Sequence, residues 1–413
     1  MPHLAIRGGA PVRPPRQAWP TWPPISTRAV DLISQVVRSG QWAYDGPMEW
    51  QFAHQFAAFS RARYCLPVAN GTVAIQLALE ALDIGAYDEV IVPGLTWQAT
   101  AAACIDVNAI PILVDIDPRT YCLDVAQAEA AITSRTRAII VVHLYGAMAD
   151  MDALRALARR HNLHLIEDCA HQHGSQWQGK GVGALGDVGA FSLQSSKVLT
   201  AGEGGLVLTD DWTLFQQLYS LRNCGRPLQP GAPTVQSGNY RMTDLQAALL
   251  LAQMEEMEER VNRRDANAQY LNRKLAEVPG ITPMLRYPAI TRQSYYCFTF
   301  RYDERAWDDI PVAAFRQALS AEVGLNVGTT YEPLNDCALY RPHTKRRHRL
   351  SDDYWQAIDP ARFDLPLCHH AFRREAVVLW HPFLLAERAD MDQIADAVAK
   401  LYEHRDELRS LTT

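Results

Sequence analysis

Cysteine pairs are what this 413-residue sequence most plainly lacks. Its eight cysteines (Cys65, Cys104, Cys122, Cys169, Cys224, Cys297, Cys337 and Cys368) are scattered, and no C-x-x-C spacing occurs. A disulfide framework or a structural zinc site is therefore not expected, and a reducing, cytoplasmic setting fits. Long apolar runs are missing too. The most apolar stretch, 138-AIIVVHLYGAMA-149, is interrupted by His143 and is too short to cross a bilayer, so it reads as a buried strand. The opening residues, MPHLAIRGGAPVRPP, hold no apolar core of signal-peptide length. There is no basic excess: Lys and Arg number 40 against 46 Asp and Glu, a net charge of −6. With no basic helix-turn-helix segment in view, that balance argues against a nucleic-acid-binding regulator. No short-period repeat is visible.

What is present points to an α/β enzyme. The length suits one large domain with a smaller partner. Residues 1–30 are rich in proline and tryptophan, and no helix is expected through GGAPVRPPRQAWPTWPPIS. They read as an ordered arm, because the two tryptophans of 19-WPTWP-23 call for burial. From about residue 60, short apolar runs alternate with helical stretches. The runs are 64-YCLPV-68, 89-EVIVP-93, 110-IPILVD-115, 138-AIIVV-142, 163-LHLIED-168, 188-VGAFSL-193 and 205-GLVLTD-210. Such alternation predicts a mainly parallel sheet covered on both faces. One long helix is expected over 243–278, capped by Thr243 and stopped by 279-PG-280, bridging two domains. The expected domains are an arm at 1–30, a large domain at 31–265 and a small one at 266–413.

Ligands of open α/β sheets sit beyond the carboxyl ends of the strands. After the first run, 69-ANGTVAIQ-76 offers Gly71 for close backbone approach, Thr72 as a hydroxyl and a helix N-terminus for a phosphate. A plain turn and N-cap is the competing reading. After the second run, Trp97 could present a flat face to an aromatic ligand or belong to the core. Asp168 closes the fifth run, where a carboxylate needs a cationic partner. That partner could be a protonated ring nitrogen. A metal held by Asp168, Cys169, His171 and His173 is the weaker alternative, being too compact for a familiar zinc pattern. In 191-FSLQSSKVLTAGEGG-205, Lys197 sits between apolar segments with glycines close by. Burial there would lower its pKa and make it a usable amine nucleophile. Phosphate site, stacking aromatic, acid and amine, in that order, are the groups a pyridoxal phosphate enzyme requires.

The sequence resembles the DegT/StrS-type sugar aminotransferases, pyridoxal 5′-phosphate enzymes of the aspartate aminotransferase fold (fold type I). The likeness runs from about residue 10 to the C-terminus. Its strongest stretches are 70-NGTVAIQLALEAL-82, 142-VHLYGAMADMDAL-154, 166-IEDCAHQHGS-175, 191-FSLQSSKVLTAGEGG-205 and 238-GNYRMTDLQAALL-250. It implies a seven-stranded, mainly parallel sheet in the large domain and a smaller α+β C-terminal domain. It also implies that Lys197 carries the cofactor as a Schiff base and that Asp168 pairs with the pyridine nitrogen. Gly71, Thr72 and Ser192 would contact the phosphate, with Trp97 in the stacking position. Asn239 would reach the phosphate in the neighbouring subunit of a homodimer. His171 stands where many members have Gln, and either could hydrogen-bond the cofactor's ring hydroxyl. Dehydratase relatives replace the lysine with His, so Lys197 favours transamination.

The arm GGAPVRPPRQAWPTWP and the segment 331-YEPLNDCALYRPHTKRRH-348 resemble a narrower group within the family. Its members use L-glutamine to aminate scyllo-inosose or 2-deoxy-scyllo-inosose for aminocyclitol antibiotics. On that likeness Arg341–Arg349 belongs to a substrate-side loop, with a solvated charged face as the alternative. A nucleotide-linked keto-sugar aminotransferase and a 3-amino-5-hydroxybenzoate synthase-like enzyme are the rival readings.

Overall fold

All seven apolar runs become strands of one sheet. The computed structural model describes residues 3–24 and 26–411. The strands are β1 (Tyr64–Val68), β2 (Glu89–Pro93), β3 (Ile110–Val114), β4 (Thr136–Val142), β5 (His164–Asp168), β6 (Val188–Ser192) and β7 (Gly205–Thr209), in the spatial order β1-β7-β6-β5-β4-β2-β3. β2 through β6 pair in parallel. β7 runs antiparallel to both neighbours, because residues 193–204 turn the chain back without a crossover helix. β2 and β3 are buried along their whole length, as continuous Val/Ile/Leu runs demand when helices cover both faces.

Ten helices of eight or more residues are described: α1 (Thr27–Ser39), α2 (Pro47–Ser60), α3 (Gly71–Ala81), α4 (Ala99–Asp106), α5 (Met151–His161), α6 (Trp212–Arg222), α7 (Asp244–Met254), α8 (Met257–Leu275), α9 (Val312–Val323) and α10 (Arg388–Glu403). The long helix expected over 243–278 is two helices. Thr243 does cap α7, through a reciprocal capping box with Gln246. The ladder then breaks at Glu255 and Glu256, where Glu256 adopts φ −112° and ψ 3°. The break lets apolar α7 stay in the first core while the more polar α8 swings to the second. A smaller antiparallel sheet, β8 (Ile281–Pro283), β9 (Cys297–Tyr302), β10 (Val327–Gly328) and β11 (Ala376–Trp380), has the order β8-β9-β11-β10. It packs with α9 and α10 around Phe298, Phe300, Trp307 and Phe315 as a second core.

The expected boundary at 265/266 falls inside α8. Met257 and Val261 pack in the first core, and Ala268, Leu271 and Leu275 in the second. The arm is shorter than expected, since α1 begins at Thr27. Leu4 and Trp19 lie on the second core: Leu4 is fully buried there, and Trp19 donates its indole N–H to the Val323 carbonyl at 2.8 Å. All eight cysteines are free, and all but Cys224 are buried. Among the described residues no helix is long and apolar enough to cross a membrane.

Arg222 fixes the start of β1's functional end. Its buried guanidinium bonds Glu49 of α2, Asp45 at 2.7 Å and the Pro67 carbonyl of β1 at 3.0 Å. Removing it strands Glu49, whose carboxyl burial already pushes above the usual carboxylate range. Arg222→Ala is expected to destabilise the chain by about 3–5 kcal/mol. Chemical denaturation measures this, and a loss below about 1 kcal/mol would contradict the assignment.

Candidate active site

The carboxyl ends of β1, β4, β5 and β6 open into one cavity of about 660 Å³. Its walls include Gly71, Thr72, Trp97, Asp168, His171, Ser192 and Lys197, residues from four separate chain segments. At the end of β1, Asn70 caps α3 by accepting the Val73 N–H at 2.9 Å. The N–H groups of Gly71 and Thr72 have no partner among the described residues. They add to the positive end of the helix dipole. A Cβ at position 71 would stand 2.9 Å from Ser192 Cβ, so only glycine lets α3 and the end of β6 meet this closely. Gly71, Thr72 and Ser192 line the cavity together, and free N–H groups with hydroxyls at a helix N-terminus are the chemistry that can hold an anion.

Asp168 ends β5 fully inside the protein. Its Oδ2 accepts the Thr100 hydroxyl at 2.8 Å and its Oδ1 the Ala170 N–H at 3.1 Å. Burial pushes the carboxyl up, against the downward pull of these two donors and of Lys197. Such a group remains ionised most easily with a cation beside it. Lys197 is the complement. Only 9% exposed, it loses more to desolvation than it gains from Asp168, and its pKa drops to about 8. Its Nζ lies 4.1 Å from the centre of the Tyr296 ring, a cation–π contact.

His171 is locked between aromatic rings. It stacks on Tyr296 at 4.2 Å and on Tyr145 at 5.6 Å. Its Nδ1 accepts the Tyr145 N–H at 3.1 Å, which leaves the proton on Nε2, 3.3 Å from the Tyr331 hydroxyl. Burial, reinforced by the Lys197 charge, drives its pKa well below the ordinary value, so the ring is a neutral donor. His173 Nε2 donates to the Ser192 carbonyl at 2.8 Å and holds the end of β6. Burial lowers its pKa to about 3. The metal reading fails on geometry. Among the described residues Asp168, Cys169, His171 and His173 do not bring three ligand atoms together, and Cys169 lies instead near His143 and Glu167. There His143 uses Nδ1 for the Ala149 N–H and Nε2 for Glu167, which also accepts three backbone N–H groups from Gly183, Leu185 and Gly186.

Asn239 is not brought to this cavity. It is exposed, bridges Asn223 and accepts the Arg241 N–H at 3.4 Å. Nor does any residue of Arg341–Arg349 line the wall, although Arg347 pairs with Asp106, which does. Tyr331, at the head of that segment, does line it. Sequence reasoning missed Thr100, Tyr145, Tyr296 and Tyr331. Thr100 lay in the same stretch as Trp97, three residues on, and one helical turn beyond Thr96 was its only signal. Apart from Lys197, no lysine or arginine lines the cavity among the described residues.

Comparison with known proteins agrees with this geometry. The model of the DegT/DnrJ/EryC1/StrS aminotransferase family matches residues 23–377. The chain is 44% identical to an L-glutamine:2-deoxy-scyllo-inosose aminotransferase of Streptoalloteichus tenebrarius, over 99% of both chains. It is 43% identical to an L-glutamine:scyllo-inosose aminotransferase of Streptomyces griseus, over 97% of this chain and 98% of the other. Among solved structures, 3-amino-5-hydroxybenzoic acid synthase superposes with a TM-score of 0.80 at 30% identity, covering 94% of this chain and 98% of that one. A match across most of the sequence, together with relatives at this identity, settles the kinship: the chain belongs to the DegT/DnrJ/EryC1/StrS aminotransferase family.

Proposed function

We propose that this aminotransferase uses pyridoxal 5′-phosphate to move an amino group from L-glutamine to a keto-cyclitol, scyllo-inosose or 2-deoxy-scyllo-inosose, in aminocyclitol biosynthesis. The observation that carries the reading is a buried Lys197 amine with a pKa of about 8, sharing one cavity with buried Asp168 and the open N-terminus of α3. These residues fit the cofactor. Unpaired N–H groups at Gly71 and Thr72, with the Ser192 hydroxyl, suit its phosphate. Asp168, costly without a cation, suits its ring nitrogen, and Trp97, 46% exposed at the cavity wall, offers a ring face. When bound, pyridoxal 5′-phosphate supplies an aldehyde to carry the amino group and a ring to take up electrons from the donor's α-carbon.

The protein's own part is positioning and proton transfer. About one Lys197 amine in ten is neutral at pH 7 with a pKa near 8, enough to act as nucleophile and then as base. Its Nζ takes a proton from the donor's α-carbon and later returns one to the acceptor carbon. Asp168 keeps the facing nitrogen protonated, and Thr100 and Ala170 keep Asp168 in place. His171 holds a proton at Nε2 for a ring oxygen. Asn239, exposed and away from this chain's cavity, is assigned to the phosphate in a partner subunit, which makes a homodimer the working unit.

The cavity favours a free cyclitol over a nucleotide-linked sugar. Hydroxyl and amide groups of Gln76, Gln194, Tyr296 and Tyr331 suit a polyol, whereas among the described residues no cation besides Lys197 is there to pair with a diphosphate. The relatives named for inososes, at 43–44% identity, support the same choice.

L-Glutamine is expected to convert the bound cofactor to its aminated form, read as loss of the yellow band. Adding scyllo-inosose or 2-deoxy-scyllo-inosose should restore it. Recovery with a nucleotide keto-sugar but neither inosose would overturn the acceptor. Lys197→Ala should cut turnover by about a thousandfold or more. Near-normal multiple turnover in that variant would refute the mechanism. Because the neutral amine is the nucleophile, the rate at which cofactor-free protein combines with pyridoxal 5′-phosphate should climb with pH and level off above about 8. A flat profile from pH 6 to 9 would contradict the role of Lys197.

A further inference from the structure

The turn that carries Lys197 is gripped from outside the sheet. Trp22 of the arm donates its indole N–H to the Lys197 carbonyl at 2.9 Å. Trp380, at the end of β11, and the next residue, His381, both donate to the Ser196 carbonyl, at 3.1 and 3.2 Å. Two consecutive carbonyls, one of them the reacting residue's own, therefore take three ring N–H groups from two distant segments.

Behind this grip lies a buried cation with no pairing carboxylate. Arg264 of α8 is fully buried, and its Nη2 donates to His381 Nδ1 at 3.2 Å. Its Nε and Nη1 find no hydrogen-bond partner among the described residues. Burial lowers its pKa to about 9, and burial with the Arg264 charge pushes His381 well below the ordinary histidine value. An arrangement this costly calls for a reason. With Nδ1 accepting from Arg264, the one proton of neutral His381 must sit on Nε2, facing the Ser196 carbonyl. Trp22 closes the cluster. Its ring stands edge-on to His381 at 4.8 Å, and the Arg264 guanidinium carbon lies 4.9 Å from its centre.

We infer that Trp22 is a positioning residue for Lys197, acting with His381 and Arg264, so that the N-terminal arm and the second core together set where the Lys197 amine stands. The inference rests on Lys197 being the reacting amine, as proposed above. It does not depend on which ketone is the acceptor.

Trp19 provides the comparison, since it sits on the same arm and gives its indole N–H to the Val323 carbonyl at the end of α9 instead of to the Lys197 turn. The chain has only five lysines, Lys180, Lys197, Lys274, Lys345 and Lys400. After reductive methylation with ¹³C-formaldehyde, the full-length, cofactor-free protein should give a Lys197 resonance identified by its absence in Lys197→Arg. The titratable groups facing Lys197 are Asp168, Tyr296, Cys297, His171, His173 and His381, and burial raises the Tyr296 phenol above its ordinary value. None of the three histidines titrates near 8, and the Cys297 thiol is pushed up to about 12. Trp22→Phe removes the N–H and keeps a ring, admitting water to the turn. It is expected to raise the Lys197 pKa by about half a unit or more. In the loaded enzyme it should lower kcat about tenfold and leave the KM for L-glutamine within about twofold. Trp19→Phe should lower the melting temperature comparably and leave both the Lys197 titration and kcat unchanged. His381→Gln, which keeps an N–H at the reach of Nε2, should retain most of kcat, whereas His381→Leu should behave like Trp22→Phe. If Trp22→Phe matches Trp19→Phe in titration and in kcat, the arm is only a structural strap and the inference is wrong. Failure of both inososes as acceptors would leave the titration readable and would instead count against the proposed function.

Discussion

An amine and a carboxylate buried together govern this molecule. Neither Lys197 nor Asp168 is where unaided solvation would put it, and each makes the other's burial tolerable. Desolvation wins for both: the lysine falls to about 8 and the carboxyl rises. The pair can exist only because two sheet strands and the turn after them are held rigidly. β5 presents Asp168 at the end of a strand buried from Leu165 onward, and Thr100 of α4 and the Ala170 N–H hold its oxygens. The same rigidity appears in histidines used as fixed neutral struts. His173 pins the end of β6, and His171 is set in one tautomer by the Tyr145 backbone.

Much of this was legible in the sequence, for a physical reason. Strands buried on both faces must be apolar along their length, so seven runs announced seven strands. Residues at the ends of those runs were the natural place to look for chemistry, and Gly71, Asp168, Ser192 and Lys197 all lie there. Less legible was whatever depends on a change of direction. The segment 243–278 keeps a helical pattern across Glu255 and Glu256, and only packing against two cores reveals the break. Tyr145, Tyr296 and Tyr331 enter the site from a loop, from the approach to β9 and from a distant segment, with no shared spacing to flag them. Asn239 was expected at a phosphate only through family resemblance, and nothing among the described residues brings it to the cavity.

The N-terminal arm shows how a proline-rich segment gains order without regular structure. Leu4, Trp19 and Trp22 give it three anchors, and two of them end on backbone carbonyls that local secondary structure leaves unused. The arm thereby links the second core to the turn after β6. The cavity wall, by contrast, carries no lysine or arginine besides Lys197 among the described residues.

The central claim is that one amine out of five, Lys197, takes up the cofactor aldehyde. Borohydride reduction of the protein loaded with pyridoxal 5′-phosphate, followed by peptide mapping by mass spectrometry, tests it most directly. The account predicts a single pyridoxyl adduct, on the peptide containing Lys197. An adduct on Lys180, Lys274, Lys345 or Lys400 in its place, or none at all, would contradict it.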